Sequence, residues 1–309
     1  MRSDEIRNML LAVAGLGLAA LLPLTGNGYY LAIGVTIAMY AALATSWALF
    51  SGPTHYISLA TGAFFGLGTY VVALGIDHIP YVVLLLIALV AGAVAAGLVG
   101  LATLRLSGVY FVIFTLGLAE MVRQVVTWIQ NNWSGHRGLY VLTDITEEII
   151  YWELLGVVAL VYLVGWWIGR SRLGFALRII GNDEVVAAHS GINTARSKVL
   201  LFMVSGMAAS LTGAILAPRW TYIEPTMAFS PLLSFQIVIM ALLGGTNRLW
   251  GPLVGVIPFT LLWEAISANF PNQTTLLLGV CFLLIVYAIP HGIVGRIEAL
   301  ARALKERGA

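Results

Sequence analysis

The sequence predicts an all-α, polytopic membrane protein, a bundle of about ten transmembrane helices with both termini in the cytoplasm. Of its 309 residues, 60% are hydrophobic and only 10% are charged, whereas an ordinary soluble domain carries roughly 25% charged residues. The mean hydropathy is +0.94. The apolar residues also fall into repeated runs separated by short polar stretches, a pattern typical of a chain that crosses the bilayer many times.

Each crossing needs about 20 predominantly apolar residues, because backbone polar groups must be satisfied internally where no water is available. Ten runs approach this length, but the first and eighth are short for a crossing, so the expected count is eight to ten. The N-terminal run follows a head with acidic residues and has no small-residue cleavage site, which favours an uncleaved first helix over a signal peptide. The predicted spans lie near 8–24, 29–50, 56–76, 81–104, 107–130, 151–169, 198–218, 231–245, 251–268 and 274–290.

The positions of Lys and Arg indicate the orientation, since positive loops are retained on the cytoplasmic side. With ten crossings and both termini inside, thirteen of the sixteen basic residues face the cytoplasm, while Arg137 and Arg219 fall outside and Arg123 lies within a span. An alternative stays open for 231–268, a re-entrant hairpin plus a shifted helix, which would move only Arg248 among the basic residues. The outer loops instead hold acidic residues: Asp77, Asp144, Glu147, Glu148 and Glu224. Residues 1–309 are predicted to form a single transmembrane domain.

Small residues recur at helical spacing in three spans. Lipid tails give no hydrophobic drive for helix association, so close packing through small residues has to hold such a bundle together. We therefore expect helix contacts along three stripes: Ala88, Gly92, Ala96 and Gly100 in the fourth span, Ser205, Ala209 and Gly213 in the seventh, and Gly62 and Gly66 in the third.

Glycine and proline interrupt the eighth and ninth spans in "ALLGGTNRLWGPLVGVIP" (241–258). One interpretation is a simple loop between two helices. The other is a pair of broken helices, which membrane proteins tolerate where a cavity or neighbouring protein receives the freed backbone groups. The sequence leaves both open.

A polar segment, residues 170–197, is predicted to lie in the cytoplasm. Its basic stretch "SRLGFALRIIGN" precedes "DEVVAAHSG", in which Asn182 or Asp183 can cap a helix, Glu184 suits the first turn and Gly191 can end it. A helix of two to three turns is marginal alone in water, so it must pack on something.

The apolar surface of that short helix is small. It is formed by Val185, Val186 and Ala188, with Ala187 at the flank. A smooth surface of this kind suits a shallow groove of a partner, while a helix resting on the ends of its own bundle is the alternative.

Three ionisable residues are recognised within the predicted spans: Glu120 and Arg123 in the fifth and Glu264 in the ninth. Glu120 and Arg123 are three residues apart on one helix face and can neutralise each other. A structural ion pair is the favoured interpretation. A hydrated pathway wall and a proton or ion relay are the alternatives.

Several classes of function find no support in the sequence. A net charge of +2 gives no indication of a nucleic-acid partner. The five histidines are scattered without metal-ligand spacing, and the single cysteine, Cys281, excludes a disulfide framework. The phosphate-binding motif GxxxxGK[ST] is absent, so ATP would have to act through another polypeptide. No catalytic residue, cofactor or metal is expected in this chain.

Four stretches follow one another in a recognisable order: "SLATGAFFGLGTY" (58–70), "LRLSGVYFVIFTLGLAEMVRQ" (104–124), "SRLGFALRIIGNDEVVAAHSGINTARSKVLLFMVSGMAASLTGAI" (171–215) and "LLGGTNRLWGPLVG" (242–255). They resemble the LivM-type permease subunits of branched-chain amino acid ABC importers. The resemblance covers nearly the whole chain.

The resemblance implies a membrane-spanning importer subunit in the bacterial inner membrane, which translocates branched-chain or other hydrophobic amino acids delivered by a periplasmic or surface solute-binding protein. It also implies a second, homologous permease and two ATP-binding cassette subunits that bind the ATP, so the chain itself would not be an enzyme. Amides, urea and other small solutes stay open as substrates. An ion-coupled secondary transporter is the alternative function.

In such permeases a short cytoplasmic helix, the coupling helix, docks in a cleft of the ATPase subunit. Carried onto this sequence, the resemblance places the docking positions at Asn182, Asp183, Glu184, Ala188, Gly191 and Ile192.

Overall fold

The computed structural model describes residues 15–103, 106, 108–134, 137–246, 248–288 and 292–296. Residues 8–14 of the first predicted span and the predicted positions of both termini lie outside the described residues. So do six of the basic residues used for the orientation: Arg2, Arg7, Arg105, Arg302, Lys305 and Arg307.

The described residues are predominantly helical. A short helix, Gly15–Leu24, comes first. The helices that follow are α1 Gly28–Thr54, α2 Thr61–Gly75, α3 Tyr81–Thr103, α4 Val109–Ile129, α5 Glu147–Arg170, α6 Arg172–Asn182, α7 Glu184–His189, α8 Thr194–Leu216, α9 Pro225–Ala228, α10 Pro231–Gly244, α11 Gly251–Asn269 and α12 Thr274–Ala288. Two short strands, β1 Leu139–Tyr140 and β2 Tyr222–Ile223, pair antiparallel.

Within the described ranges, seven helical segments are long and apolar enough to cross a membrane. They are α1, α3, α4 extended to Asn132, α5, α8 extended to Arg219, Pro225–Gly244, which joins α9 and α10, and α11. The prediction of an all-α membrane protein is confirmed at this level. Gly15–Leu24, α2 and Pro271–Ile285 are shorter apolar helices, so the count of eight to ten crossings stays a prediction.

The third predicted span, 56–76, is wrong in its extent, because helix α2 has only 15 residues and begins at Thr61. The preceding residues form a non-helical segment whose backbone is satisfied by side chains. The indole Nε1 of Trp47 donates to Ser58 O at 2.8 Å, and Leu59 N donates to Thr115 Oγ1 at 3.1 Å. Non-helical backbone at such a position is tolerated where surrounding protein supplies partners of this kind.

Helices α3 and α8 pack closely through small residues, as predicted. A Cβ atom on Gly92 would overlap Ser210 and the carbonyl oxygen of Gly206, so only glycine permits this approach. The hydroxyl of Ser210 donates to Ala88 O across the contact at 2.7 Å. The fourth-span stripe therefore packs on Gly206 and Ser210 of α8, which is how small residues bring membrane helices together. The prediction that Gly213 belongs to a stripe of close contacts also agrees with the structure, but its neighbour is Phe65 of α2.

The glycine-rich connection between α10 and α11 is a tight hairpin. Gly245 has a φ of +102°, a conformation that other residues adopt at a cost. A Cβ atom on Gly244 would overlap the carbonyl oxygen of Gly251. The backbones of the two helix ends thus touch, and the loop interpretation accounts for these glycines.

Contacts between loops show which loops lie together at each end of the bundle. At one end, His55 and Tyr56 meet the segment that joins α6 to α7. At the other, Arg219 Nε donates to Glu147 Oε1 at 3.2 Å, and β1 pairs with β2. This grouping agrees with the alternation of cytoplasmic and outer loops that the positive-inside rule predicts for these segments.

Candidate coupling site

Helix α6 occupies the basic stretch that precedes the predicted coupling helix. The Oγ of its N-cap, Ser171, accepts a hydrogen bond from Gly174 N at 3.3 Å. The helix is amphipathic: Leu177 and Ile180 are buried, whereas Phe175 is 67% exposed. It therefore lies along the end of the bundle and leads directly into α7.

Helix α7 is the predicted coupling helix, and Asp183 is its N-cap. The Oδ1 of Asp183 accepts hydrogen bonds from Val185 N at 2.8 Å and Val186 N at 3.1 Å. Asn182, the other candidate cap, is instead the last residue of α6. The helix has six residues, which makes it shorter than the predicted two to three turns.

Gly191 lies just beyond the end of α7 and has a φ of +79°. The amide of Gly191 donates to Ala188 O, and that of Ile192 donates to Ala187 O, both at 3.1 Å. These bonds satisfy carbonyls that a helix end leaves without partners, and the left-handed conformation favours glycine there. The predicted role of Gly191 in ending this turn agrees with the structure.

The two faces of α7 differ sharply. Ala187 is fully buried against the bundle, so its predicted place at the flank of the outward surface is wrong. Val185 and Val186 are 64% and 53% exposed, and Ala188 is exposed beside them. The helix thus holds the bundle with one face and presents small apolar side chains on the other.

An anchor cluster, formed by Tyr56, Glu184 and Lys198, fixes the inner face of α7. Lys198 Nζ lies 2.6 Å from Glu184 Oε1, and the Tyr56 hydroxyl donates to Glu184 Oε2 at 2.9 Å. The ammonium group also lies 4.5 Å from the centroid of the Tyr56 ring, within reach of a cation–π interaction. The cluster joins α7 to α8 and to the segment between α1 and α2.

Burial is uneven within the anchor cluster. The side chain of Lys198 is 2% exposed and that of Glu184 is 38% exposed. Burial alone would raise the pKa of Glu184, but hydrogen bonds from Lys198 and Tyr56 and the lysine charge outweigh it and lower that pKa below its usual range. The carboxylate is therefore ionised at neutral pH.

His55 supplies a further contact at the same end. It follows α1 with a φ of +58°, and its Nδ1 lies 2.9 Å from Gly181 O near the end of α6. A Cβ atom on Gly181 would overlap the carbonyl oxygen of Pro53. The end of α1 is thus held against the junction that carries α7.

The structure brings Glu120 and Arg123 together on α4. Arg123 Nε donates to Glu120 Oε2 at 2.9 Å, and Arg123 Nη2 contacts Glu120 Oε1. Gln124 Nε2 donates to Glu120 Oε1 at 2.9 Å as well. The side chains of Arg123 and Glu120 are 25% and 39% exposed, so this pair lies on the outer surface of the chain.

The other membrane carboxylates lie elsewhere. Glu264 is exposed on α11. Glu153, which the sequence analysis did not single out, lies near the start of α5 and accepts a hydrogen bond from the Tyr81 hydroxyl at 2.7 Å. Within the part of the chain that the structure describes, no group of three His, Cys, Asp or Glu residues could hold a metal ion.

The family model described as "Branched-chain amino acid transport system / permease component" matches residues 29–289. The chain belongs to this family. The match runs from α1 through α12 and includes α7, the predicted coupling helix, and the pair of Glu120 and Arg123 on α4. The resemblance to branched-chain amino acid ABC permeases is confirmed, and the chain is an ABC transporter permease that spans a membrane several times.

Two of the similar proteins are permeases named for the same transport system. The high-affinity branched-chain amino acid transport system permease protein LivM of Escherichia coli K12 is 23% identical over 325 residues, which cover 94% of this chain and 76% of LivM. LivH of the same system and organism is 26% identical over 167 residues, or 53% of this chain and 52% of LivH.

A permease for a different solute is also similar. The ribose import permease protein RbsC of Haemophilus influenzae is 29% identical over 116 residues, which cover 36% of each chain. The family therefore includes importers of chemically unlike solutes. Membership fixes the class of transporter and leaves the substrate as a separate question.

Proposed function

We propose that the chain translocates branched-chain or other hydrophobic amino acids across the inner membrane of a bacterium, after a solute-binding protein delivers them. LivM supports this proposal, because its similarity extends over 94% of the chain, whereas that of RbsC extends over 36%. Amides and urea are the competing small solutes. Uptake of radiolabelled leucine and acetamide by the reconstituted complex, with its own binding protein, distinguishes them.

Helix α7 is the coupling helix in this proposal and docks in a cleft of an ATP-binding cassette subunit. The supporting observation is its division into two faces: the anchor cluster holds the inner face, while Val185, Val186 and Ala188 point away from the bundle. Residues that move with a rigid element can transmit displacement across an interface. The carboxylate of Glu184 serves the inner face, so the outward apolar residues form the centre of the docking surface.

The remaining docking positions proposed from the family surround this centre. Asn182 and Asp183 precede the helix, and Gly191 and Ile192 follow it. Asp183 caps the helix and Gly191 ends it, so both act by fixing the shape of the docking element.

The proposed assembly contains this chain, a second, homologous permease, two ATP-binding cassette subunits and a solute-binding protein. LivM and LivH support the permease pair, because two different permease proteins of one named system are both similar to this chain. ATP and its hydrolysis belong to the cassette subunits, so this chain contributes the membrane path and the coupling surface.

Both termini and residues 170–197 face the cytoplasm in this proposal. In a Cys281→Ser background, a cysteine at Ser190 should react with a membrane-impermeant maleimide only after the cells are opened. A cysteine at Leu142, whose side chain is 74% exposed, should react in intact cells whose outer barrier is permeable to the reagent. Labelling of Ser190→Cys from outside would contradict the topology.

The decisive test of coupling compares two Ala→Trp variants at the same end of the bundle. Ala188 lies on the outward face of α7, and Ala195 is an exposed residue on the first turn of α8. We expect Ala188→Trp to abolish substrate-stimulated ATP hydrolysis in the reconstituted complex and to reduce recovery of the ATPase subunit, while Ala195→Trp retains both. Equal, wild-type behaviour of the two variants would contradict docking through α7.

An ion-coupled secondary transporter is the competing function. It predicts uptake by this chain in proteoliposomes without ATPase subunits, driven by an imposed ion gradient. The proposed importer predicts no uptake under that condition.

A further inference from the structure

Helix α4 turns most of its surface away from the rest of the chain. Of the seven candidate spans in the described ranges it is the least buried. Phe111, Thr115 and Ala119 form the stripe that faces the bundle. On the opposite side, side chains are exposed or only partly buried among the residues that the structure describes, so lipid or another protein is expected to cover them.

That outward side contains a polar and small stripe, Gly117, Glu120 and Gln124, which we call the α4 seam. The spacings of three and four residues place the three on one helix face. A Cβ atom on Gly117 would meet nothing within 4 Å, so the glycine leaves a shallow notch. Glu120 binds Arg123 and Gln124 beside that notch.

The α4 seam lies at the middle of its span. Glu120 comes eleven residues after Val109 in a span that ends at Asn132. At 1.5 Å per residue this is about 17 Å along a span of about 36 Å. The partly exposed ion pair would therefore face the hydrocarbon core if lipid covered this side.

Lipid is an unfavourable neighbour for these groups. The ion pair cancels its net charge, but its oxygen and nitrogen atoms keep exposed surface and hydrogen-bonding capacity that acyl chains do not satisfy. Ionisable residues in membrane helices almost always face the bundle interior or a water-filled cavity. A polar group together with a small residue on one helix face is typical of contacts between membrane helices.

Helix α3 shows what a lipid-facing surface looks like in the same molecule. Its exposed large side chains are all aliphatic: Val82, Val83, Leu86, Ile87, Val90, Val94, Leu98 and Leu101. These side chains have no polar atoms, so contact with lipid acyl chains costs them no hydrogen bonds. The contrast with α4 is one of chemistry, since both helices are poorly buried within this chain.

We propose that the α4 seam is the surface on which the second, homologous permease packs. Gly117 lets a helix of that subunit approach closely, while Glu120 and Gln124 offer hydrogen-bonding groups to it. The identity of the partner rests on the proposed function. The position of the seam rests on the mid-span ion pair and the open glycine.

Site-specific photocrosslinking tests the occupant directly. A benzophenone amino acid replaces Gln124 in one variant and Val94, on the aliphatic face of α3, in a matched control. Both are irradiated in native membranes that contain the whole complex. We expect the residue at 124 to form an adduct with the homologous permease, identified by mass spectrometry, and the residue at 94 to form none with it. Lipid-only capture at 124, or capture of an ATPase subunit or of a second copy of this chain, would overturn the proposal.

A pair of glycine variants provides an independent readout. Gly117→Leu fills the notch, and Gly156→Leu adds the same side chain at another open glycine in a candidate span, on α5. We expect Gly117→Leu to lower recovery of the homologous permease on the order of tenfold, which corresponds to about 1.4 kcal/mol, and Gly156→Leu to leave it unchanged. An intact complex with both variants contradicts the seam.

Failure of the proposed function would look different. If wild-type chain brings down no second permease and no ATPase subunit, the assembly itself is wrong. If the wild-type complex is intact and transports but neither the crosslink at position 124 nor the Gly117→Leu effect is found, only the seam is wrong.

Discussion

Two carboxylate–cation pairs in this permease have the same chemistry and opposite structural effects. Glu184 and Lys198 join different elements, α7 and α8, and the lysine is buried. Glu120 and Arg123 lie one turn apart on α4, and both side chains keep a partly exposed surface. The first pair fixes one part of the chain against another. The second pair connects no two elements and leaves polar atoms facing outward.

The difference suggests two roles: the first pair holds the coupling helix on its own chain, and the second pair concerns insertion into the membrane or association with another subunit. The pair of Glu184 and Lys198 bridges two elements and determines the position of the shorter one, α7. Loss of this pair should therefore impair coupling to ATP hydrolysis. A pair within one helix neutralises a charge that the membrane disfavours, so its loss should be felt in insertion or in subunit association. Mutations that remove one charge at a time distinguish the two cases.

The largest effect is expected from Glu184→Gln. The substitution leaves the buried Lys198 ammonium without its carboxylate, a situation that costs up to about 3–5 kcal/mol when it is fully enclosed. Substrate-stimulated ATP hydrolysis should be lost while the permease still inserts. Lys198→Met should be milder, because the half-exposed Glu184 can turn to water. The reverse order of the two variants would contradict the inferred asymmetry.

Glu120→Gln is expected to have the next largest effect. It leaves Arg123 without a counter-charge at mid-span, where an unpaired arginine costs about 2.5–3.5 kcal/mol. Recovery of assembled complex in detergent should fall, and the double variant with Arg123→Gln should restore much of it. Glu148→Gln, at an exposed outer position, serves as the control. A single variant that assembles normally and loses transport would place Glu120 on the solute path.

Gly191→Val should have a moderate effect that is confined to the coupling region. A β-branched residue at a φ of +79° costs about 1–2 kcal/mol. The space around Gly191 is open, so strain is the only expected penalty. Hydrogen exchange at residues 184–192 should accelerate and coupling should weaken, with exchange in α4 unchanged. Gly169→Val is a useful control, because that glycine is equally open but has no left-handed φ.

The smallest expected effect concerns pH. The pKa of Glu184 is lowered in the folded protein, so its contribution to stability is fully present above the usual value near 4.5 and is lost as the pH falls through the lowered pKa. The ratio of stimulated to basal ATP hydrolysis should therefore show no inflection attributable to Glu184 between about pH 6 and 8. An infrared band of a protonated carboxyl in that pH window, assigned to Glu184 by its absence in Glu184→Gln, would show that the pKa is raised instead.

Much of the fold follows from the sequence, because length and apolarity constrain a membrane helix strongly. The second predicted span, 29–50, stops just before Ser51, Gly52 and Pro53. Helix α1 nevertheless continues to Thr54. A proline in the last turn disturbs few backbone hydrogen bonds, which explains why the helix passes through it.

The site could be predicted only in part. The cap at Asp183 and the end at Gly191 depend on neighbouring residues, and local sequence contains that information. The anchor cluster depends on Tyr56 and Glu184, which are 128 residues apart. No periodicity or spacing connects them. A lysine at the start of an apolar span was the one available signal, and it indicates orientation as readily as an ion pair.

The central position of α1 has a consequence for the way the protein is made. It is the most buried candidate span in the described ranges, yet it leaves the ribosome before the helices that cover it. Three of its hydroxyls can meet lipid during that interval without losing their partners, whereas the Tyr40 hydroxyl donates to Gln236 of the later helix α10. Thr36 Oγ1 donates to Ala32 O, Ser46 Oγ to Leu43 O and Thr54 Oγ1 to Phe50 O, all within the helix itself. With these polar groups satisfied internally, helix α1 can insert into the bilayer before the later helices pack around it.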